Sequence, residues 1–537
     1  MEKALAMGKT SVTGSFHLLI GVAASTVIMA VGTIILTRLM SPAEYGVYAI
    51  ALIPSLLINL FRDWGVNSAI TKYVANLRAT NKEGEIRDVI VAGVIFEVTV
   101  GLALSLLSVF LAGFIASALF HRPETASYIA IISITILSGA LLSVAQSAFI
   151  GFERMRLNSL TLICQSIVKT LVGPILVILG YGVLGAVLGY SLSVMAAGIF
   201  GITILYFMLF RHVRKSEVNS RNLLKMLAAL LKFGVPLSMS SMLGGILIQI
   251  NGFIMASFIS DANIGNYQAA VNFSVLLTFV TIPISTVLFP AFAKLNPQKE
   301  SALLKTVFVH SIKYTSILVL PATMAVMALS GPMISTLFGE KYTSAPFFLT
   351  FYLVINLFAV IGSLSSQSLM TGLGETGMLL KLGILNLLIG LPLSFLLIPS
   401  LGIVGLITAG IFCNLPCMFW GLYWIWKKYG VKADFRSSAR IFIASALAAS
   451  ASFICSSVLN TASWIRLIVG ITIFLATYIL IAPMIGAVNL TDIDNLRAMS
   501  SGMSFVSRIV NIPLKIVEKA LLVKTSRKKE KSSDTKS

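Results

Sequence analysis

The stretches Met40-Ser-Pro-Ala-Glu-Tyr-Gly-Val-Tyr48-Ala-Ile-Ala51 and Ile259-Ser-Asp-Ala-Asn-Ile-Gly-Asn-Tyr267-Gln-Ala-Ala270 share Ser, Ala, Gly, Tyr and Ala in register. They lie about 219 residues apart. A second pair has nearly the same offset, because Gln146-Ser147 leads to Gly182-Val-Leu-Gly185 as Gln367-Ser368 leads to Gly402-Ile-Val-Gly405. One match arises easily by chance, but two matches at one offset indicate an internal duplication.

Composition places this duplicated chain in a membrane. Of its 537 residues, 57% are hydrophobic and 11% are charged, whereas a soluble domain has roughly 25% charged residues. The mean hydropathy is +0.94. Apolar runs of about 20 residues between charged or turn-forming breaks predict about fourteen spans. Their approximate bounds are 14–37, 45–61, 89–118, 127–149, 157–179, 184–209, 233–259, 266–291, 308–336, 345–370, 379–398, 403–426, 441–459 and 464–488.

The spans divide into two copies of about six. Because an even number of spans returns the chain to its starting side, the copies should be parallel repeats related by an axis along the membrane normal. The predicted fold is therefore all-α: a polytopic membrane protein with two parallel six-helix repeats plus two C-terminal helices. The predicted parts are an N-terminal lobe (1–215), a C-terminal lobe (216–426), two additional helices (427–490) and a cytoplasmic basic tail (491–537).

Basic residues predict the orientation. About 34 of the 40 Lys and Arg residues fall on the side that holds both termini. The opposite side has only Arg38, Arg122, Lys341 and Arg466. Both termini are therefore predicted to be cytoplasmic. The net charge of +20 is explained by this bias and by contact with anionic membrane lipids, so no nucleic-acid partner is needed.

The sequence gives no sign of an enzyme. Walker, His-Glu-x-x-His and Gly-x-Ser-x-Gly motifs are absent, so no catalytic residue is assigned. The four cysteines lie inside predicted spans without a histidine partner, so no metal site is predicted. External loops of about five to ten residues leave no room for a catalytic domain, which disfavours a membrane glycosyltransferase or polymerase.

Ionisable groups at membrane depth mark transport pathways or binding sites. Lys169 lies near the middle of the fifth predicted span, and Asn158 and Gln165 share its face because they precede it by 11 and 4 residues. This polar stripe with one cation predicts an anion site. A lysine that pairs locally or reaches along a polar groove would give the same pattern.

Charged residues also occur in the second and third predicted spans. Arg62 has the chemistry to bind phosphate oxygens in a bidentate manner. The same arginine at a span boundary also obeys the charge bias. Glu97 lies about two turns inside the third span, so it is a candidate coupling carboxylate or an ion-pair partner.

The second copy has uncharged polar residues at membrane depth. Gln249 lies in the seventh predicted span and Asn272 in the eighth. Neutral amide groups suit the hydroxyl groups of a sugar. Contacts between helices are the commoner role of such residues. Both residues are therefore candidates for the wall of a substrate cavity.

The motif Arg38-Leu-Met-Ser-Pro-Ala-Glu-Tyr45-Gly-Val-Tyr48, with Asp63-Trp-Gly-Val-Asn-Ser-Ala69 and Lys72-Tyr-Val-Ala75, resembles the polysaccharide-exporting flippases of the multidrug, oligosaccharidyl-lipid and polysaccharide exporter superfamily. In the second half, Gly265-Asn-Tyr267, Phe289-Pro290 and Leu337-Phe338-Gly339-Glu-Lys-Tyr342 are similar to the central signatures of that family. The resemblance covers nearly the whole chain.

The resemblance implies a transporter that moves a polyprenyl-linked oligosaccharide from the cytoplasmic to the outer leaflet of the cell membrane, for surface polysaccharide or glycoprotein assembly. It implies two lobes that rock about a cationic cavity, with Lys169 and Arg62 as the cavity cations. A proton or sodium gradient is the implied driving force, with Glu97 or Asp63 as candidate coupling groups. No other cofactor is expected, and glycan-assembly enzymes are candidate partners.

Two related functions stay open at this point. A cation-coupled multidrug exporter of the same superfamily normally has about twelve spans and an anionic site, which the two extra spans and Lys169 disfavour. A lipid-II-type flippase would have the same architecture. The sequence leaves undetermined the glycan, the choice of undecaprenyl or dolichyl carrier, the number of phosphates and the oligomeric state.

Overall fold

A computed structural model describes residues 2–80, 82–212, 220–432, 435–490, 492, 497 and 518. Within these ranges the chain is helical and contains no strand. The helices are α1 Glu2–Leu39, α2 Pro42–Leu60, α3 Val66–Ala79, α4 Glu83–Phe114, α5 Ala126–Gly151, α6 Met155–Leu176, α7 Gly182–Ile204, α8 Ser220–Phe258, α9 Asp261–Ala293, α10 Ser301–Ala328, α11 Ser330–Phe338, α12 Ala345–Tyr352, α13 Ser363–Gly372, α14 Thr376–Leu401, α15 Ile403–Tyr429, α16 Phe435–Val458 and α17 Ser463–Ile485.

The duplicated motif is a helix start in both copies. In the first copy, Ser41 and Glu44 form a capping box: the Ser41 hydroxyl accepts the Glu44 N–H at 3.2 Å, and the Glu44 carboxylate accepts the Ser41 N–H at 2.7 Å. Pro42 is the first helical residue, where its missing N–H costs nothing. In the second copy, α9 begins at Asp261, the position that corresponds to Pro42. The offset inferred from the sequence is therefore also the offset between the helix starts.

The described part of the chain has 10 helices that are long and apolar enough to span a membrane, or up to 12 if each of two bent pairs is one span. One of the ten, Met155–Leu209, contains both α6 and α7. These helices pack against each other, because a Cβ added at Gly185 would meet the backbone of Leu176 at 2.9 Å. The chain reverses at Gly180 and Gly182, which have φ values of +94° and +49°. About fourteen spans, as predicted, are compatible with this arrangement.

The chain has two compact units. Unit 1 comprises Met1–Gln268 and Leu387–Ala409. In it α6 packs on α1 and α7, α5 packs on α4 and α7, and α2 packs on α5, α7 and α8. The short α3 contributes to an apolar core with α4 and α5, in which Ile70, Val89 and Phe149 are fully buried. This core supports the charged residues that follow α2.

Unit 2 comprises Ala269–Asn386 and Gly410–Ser537. In it α10 packs against α16, and α16 packs against α17. Lys313 on α10 donates to the buried carboxylate of Asp492 at 2.7 Å. The predicted lobe boundary near residue 215 and most of the predicted tail 491–537 lie outside the described residues, and the predicted domain limits stay a prediction.

Candidate functional site

Lys169 lies where α6 crosses α7. Its Nζ atom lies 5.3 Å from the centroid of the Tyr190 ring, which places the ammonium group over an aromatic face. The helices approach closely here because Gly173 and Gly189 face each other at the crossing. Lys169 precedes Gly173 by one turn, and Tyr190 follows Gly189 directly. The sequence of this crossing therefore brings the cation and the ring together.

No ion pair of the described residues includes Lys169. Its side chain is half-buried, as is that of Gln165, and Asn158 is buried. All three lie in α6, so helix geometry places them on one face, as predicted. The Oδ1 atom of Asn158 is buried and has no hydrogen-bond partner within the described residues. This face therefore offers an unpaired cation and an unused acceptor.

Two further tyrosines accompany Tyr190. The rings of Tyr45 and Tyr48 on α2 have centroids 5.9 Å apart, and both side chains are buried. Tyr45 and Tyr190 are near enough to act electrostatically on Tyr48. The aromatic surface beside Lys169 therefore continues from α7 onto α2, the helix that begins with the first repeat motif.

Arg62 lies in a second polar cluster, between α2, α4 and α5. Its Nη2 donates to the Ser143 hydroxyl at 3.0 Å and its Nη1 donates to the Ile136 carbonyl at 3.3 Å. Its Nε is 3.6 Å from Oε2 of Glu97, and neither of these two buried atoms has a hydrogen-bond partner in the described structure. Two of the guanidinium nitrogens thus bind α5, and the third faces a carboxylate.

Asn67 joins the two carboxylates of this cluster. Its Nδ2 donates to Asp63 Oδ1 at 2.8 Å and to Glu97 Oε1 at 2.7 Å. Its backbone N–H also donates to Asp63 at 3.0 Å. The carboxyl groups of Asp63 and Glu97 lie within electrostatic range of each other. When both carboxyl groups are ionised, they and the one guanidinium group carry one negative charge in excess.

The structure thus places the predicted site residues of the first copy in two groups. Lys169, Gln165 and Asn158 share one face of α6, whereas Arg62 lies with Asp63 and Glu97. Gln249 is a half-buried residue of α8 in unit 1, and Asn272 is a half-buried residue of α9 in unit 2. The roles assigned to all eight residues from the sequence stay predictions.

Sequence reasoning missed Tyr190, Tyr48 and Ser143 as neighbours of the site. Each is one of many similar residues in apolar helices, and only the helix crossings bring them to Lys169 or Arg62. Asn67 carried a usable signal, because it lies only four residues after Asp63, near enough in the chain for its amide to reach that carboxylate at the start of α3. No group of three or more His, Cys, Asp or Glu side chains in the described part of the chain has the arrangement of a metal site.

An all-helical chain with many apolar spans and charged groups at membrane depth is a multi-pass membrane protein. Residues 11–296, more than half of the chain, match the family described as polysaccharide biosynthesis protein. The chain belongs to this family. The resemblance inferred from its motifs is therefore confirmed.

Several similar proteins are named as flippases or transporters. A probable low-salt glycan biosynthesis flippase of Haloferax volcanii is 20% identical over 45% of this chain and 51% of its own length. A lipopolysaccharide biosynthesis protein of Escherichia coli K12 is 22% identical over 63% and 66%. A putative O-antigen transporter of Shigella dysenteriae is 23% identical over 71% and 91%. The chain thus spans about half of the first relative and about two thirds of the second.

Two solved structures show the fold. The lipid II flippase MurJ in its inward closed conformation superposes with a TM-score of 0.69 at 16% identity, covering 86% of this chain and 97% of that one. An inward-facing multidrug resistance MATE transporter of the MOP superfamily has a TM-score of 0.62 at 15% identity, covering 77% and 98%. The all-α, polytopic architecture predicted from the sequence is confirmed.

Proposed function

We propose that this chain is a flippase that moves a polyprenyl-phosphate- or pyrophosphate-linked oligosaccharide between membrane leaflets by alternating access. The observation that carries the proposal is the pairing of Lys169 with an aromatic ring in place of a carboxylate. Such an ammonium group keeps an uncompensated positive charge and its N–H donors for an anionic ligand. The names of the relatives, which include glycan flippases and an O-antigen transporter, support the same substrate class.

The substrate must carry its charged headgroup past about 30 Å of hydrocarbon, which phosphate and hydrated sugars do not cross unaided. In the proposed mechanism Lys169 binds the phosphate oxygens. Gln165 and Asn158, on the same helix face, bind sugar hydroxyls, and Gln249 and Asn272 are further candidates for such contacts. The lipid tail stays in the bilayer while the headgroup crosses.

We propose that Glu97 and Asp63 couple this movement to a gradient of protons or sodium ions. The geometry that supports the proposal is the excess negative charge beside Arg62, with Asn67 bonded to both carboxylates. Uptake of one cation neutralises the cluster and frees Arg62 from Glu97. Since Arg62 also binds α5, a change at the carboxylates alters the contact between α2 and α5.

The proposed location is the cell membrane, with both termini in the cytoplasm and transport toward the outer leaflet. The distribution of basic residues supports this orientation. Enzymes of glycan assembly are the proposed partners, because they would supply the lipid-linked glycan and consume it after flipping.

The test is flipping of a fluorescent undecaprenyl-pyrophosphate oligosaccharide by the purified chain in liposomes. A hydrogen bond to a charged group is worth about 1.5–3 kcal/mol, so Lys169→Ala should slow flipping by about 10- to 150-fold. Lys381→Ala, which removes an exposed lysine of α14, is the matched control and should leave the rate unchanged.

Equal rates for the two variants would contradict the assignment of Lys169. A native chain that leaves the glycolipid in place but exports a cationic dye on a proton gradient would be a multidrug exporter. Preference for a lipid II headgroup over other pyrophosphate-linked glycans would identify a peptidoglycan flippase. The coupling proposal has a separate test: Glu97→Gln should lose the acceleration caused by an imposed proton or sodium gradient while retaining gradient-free flipping.

A further inference from the structure

Arg122, in the turn between α4 and α5, binds two other segments of unit 1. Its Nε donates to Oδ1 of Asp261 at 2.6 Å, and its Nη2 donates to the Ile259 carbonyl at 2.6 Å. Its Nη1 donates to the carbonyls of Phe120, at 2.9 Å, and Ala256. The guanidinium group therefore binds carbonyls at the C-terminal end of α8, where carbonyls lack helical partners, together with the first carboxylate of α9.

The two copies of the repeat motif contact each other beside Arg122. We call this contact, between the N-terminal ends of α2 and α9, the corner. A Cβ added at Gly46 would lie 1.9 Å from the carbonyl oxygen of Asp261, and one added at Gly265 would lie 1.8 Å from that of Pro42. Gly265 corresponds to Gly46, and Asp261 corresponds to Pro42, at the offset of the duplication. The contact is thus reciprocal: the glycine of each copy lies on the first helical residue of the other.

This corner is joined to the candidate site through α2. Gly46 begins the face of α2 that packs on α8, since Ile53 two turns later meets Gly252 of α8. On the same helix, Tyr48 lies within electrostatic range of Tyr190, and the ammonium group of Lys169 lies over the Tyr190 ring. A movement of α2 relative to α8 and α9 therefore also moves the aromatic surface beside Lys169.

We infer that Arg122 is a latch that holds this corner closed and must release it during transport. The glycines let the two backbones touch, the ring of Phe120 packs against that of Phe253 on α8, and Arg122 adds the charge-assisted hydrogen bonds of this contact. The side chains of Arg122 and Asp261 are 14% and 30% exposed. Water can therefore replace their ion pair when the corner opens. The latch lies at the external end of the helices in the proposed orientation.

The inference deepens the proposed function, because the direction of opening rests on it, but the latch itself can be tested without substrate. The reporter is Ala49→Cys, a buried position one turn after Gly46 on the same helix side. The four native cysteines, Cys164, Cys413, Cys417 and Cys455, are replaced by alanine in this background. A membrane-impermeant maleimide is applied to sealed, oriented vesicles from either face, and the labelling rate is measured.

Arg122→Ala should raise external labelling at least about tenfold, because the closed population falls when its charge-assisted hydrogen bonds are lost. Arg122→Lys, which keeps the charge without the planar fork, should give an intermediate rate. Asp261→Asn keeps the side-chain shape and should also raise labelling, which covers the case in which Arg122→Ala fails to fold. Arg466→Ala is the control. Arg466 lies on the same predicted side of the membrane, and its Nη2 donates to the hydroxyl of Ser463 in its own helix, α17, at 3.2 Å.

Labelling of Arg122→Ala and Asp261→Asn at the native rate from both faces would overturn the latch. Faster labelling from the cytoplasmic face alone would support the latch and overturn the proposed orientation. If the native chain does not flip the glycolipid, the proposed function is contradicted, but the labelling result is unchanged. The two failures are therefore distinguishable.

Discussion

The crossing of α6 and α7 predicts that two facing glycines differ in their tolerance of one methyl group. A Cβ at Gly189 would lie 2.3 Å from the Gly173 Cα and 2.5 Å from its nitrogen, whereas a Cβ at Gly173 would lie 3.9 Å from the Gly189 Cα. Ordinary contact begins at 3.4 Å, so α7 must move away by about 1 Å in Gly189→Ala. The obstructing atoms are backbone atoms, which have no rotamer to change.

Overpacking of this kind costs about 1–3 kcal/mol, and the gain in helix propensity from glycine to alanine offsets up to about 1 kcal/mol. Gly189→Ala should therefore be less stable than the native chain, while Gly173→Ala should be as stable or slightly more stable. The assay is thermal unfolding in detergent with a thiol-reactive fluorogenic dye, in a background in which the half-buried Cys164 and Cys455 are alanine and the buried Cys413 and Cys417 report unfolding.

Flipping should follow the same order, because separation of α7 from α6 moves Tyr190 away from Lys169. Gly410→Ala measures the propensity effect alone, since a Cβ there meets nothing within 4 Å. Equal unfolding temperatures for the Gly189→Ala and Gly173→Ala variants would refute the reasoning, because the helices would then have room that the structure does not show.

Three further predictions concern other contacts. Tyr190→Phe should keep near-native flipping and Tyr190→Leu should lose it by up to about 30-fold, the equivalent of a cation–π contact of about 2 kcal/mol; a slow phenylalanine variant would contradict the ring's role. Lys313→Ala should cost about 3–5 kcal/mol of stability by leaving Asp492 buried and unpaired, and removing Asp492 as well should recover part of it in melting curves. Burial raises the pKa of Glu375, but the hydrogen bonds to Lys428 and Tyr429 and the positive charge of Lys428 together outweigh burial and lower the pKa overall. The stability from this carboxylate is thus present above its unfolded pKa of about 4.3 and lost as pH falls through the lower folded value. The melting temperature of the Glu375→Gln variant should therefore fall less than that of the native chain as the pH is lowered.

The polar stripe of α6 was predictable from the sequence because helical periodicity alone places Asn158, Gln165 and Lys169 on one face. The partner of Lys169 was not predictable from the sequence. A carboxylate partner is the usual expectation for a cation in a span, whereas the structure provides Tyr190, from a helix that passes within reach only through two glycines. The neighbours of Arg62 were not predictable from the sequence either: its guanidinium group lies among Ser143, Ile136 and Glu97, on helices far apart in the chain.

The sequence by itself determined the class, the all-helical architecture and the duplication, because hydropathy and repeat offset are properties of the chain that need no knowledge of contacts. Only the tertiary structure decided which residues meet. Glycine carries no side-chain signal, so the reciprocal contact of Gly46 and Gly265 and the closeness of Gly173 to Gly189 depend on how whole helices cross. Arg122 was visible in the sequence as a loop charge, but its binding to α8 and Asp261 required the packing of helices more than a hundred residues apart.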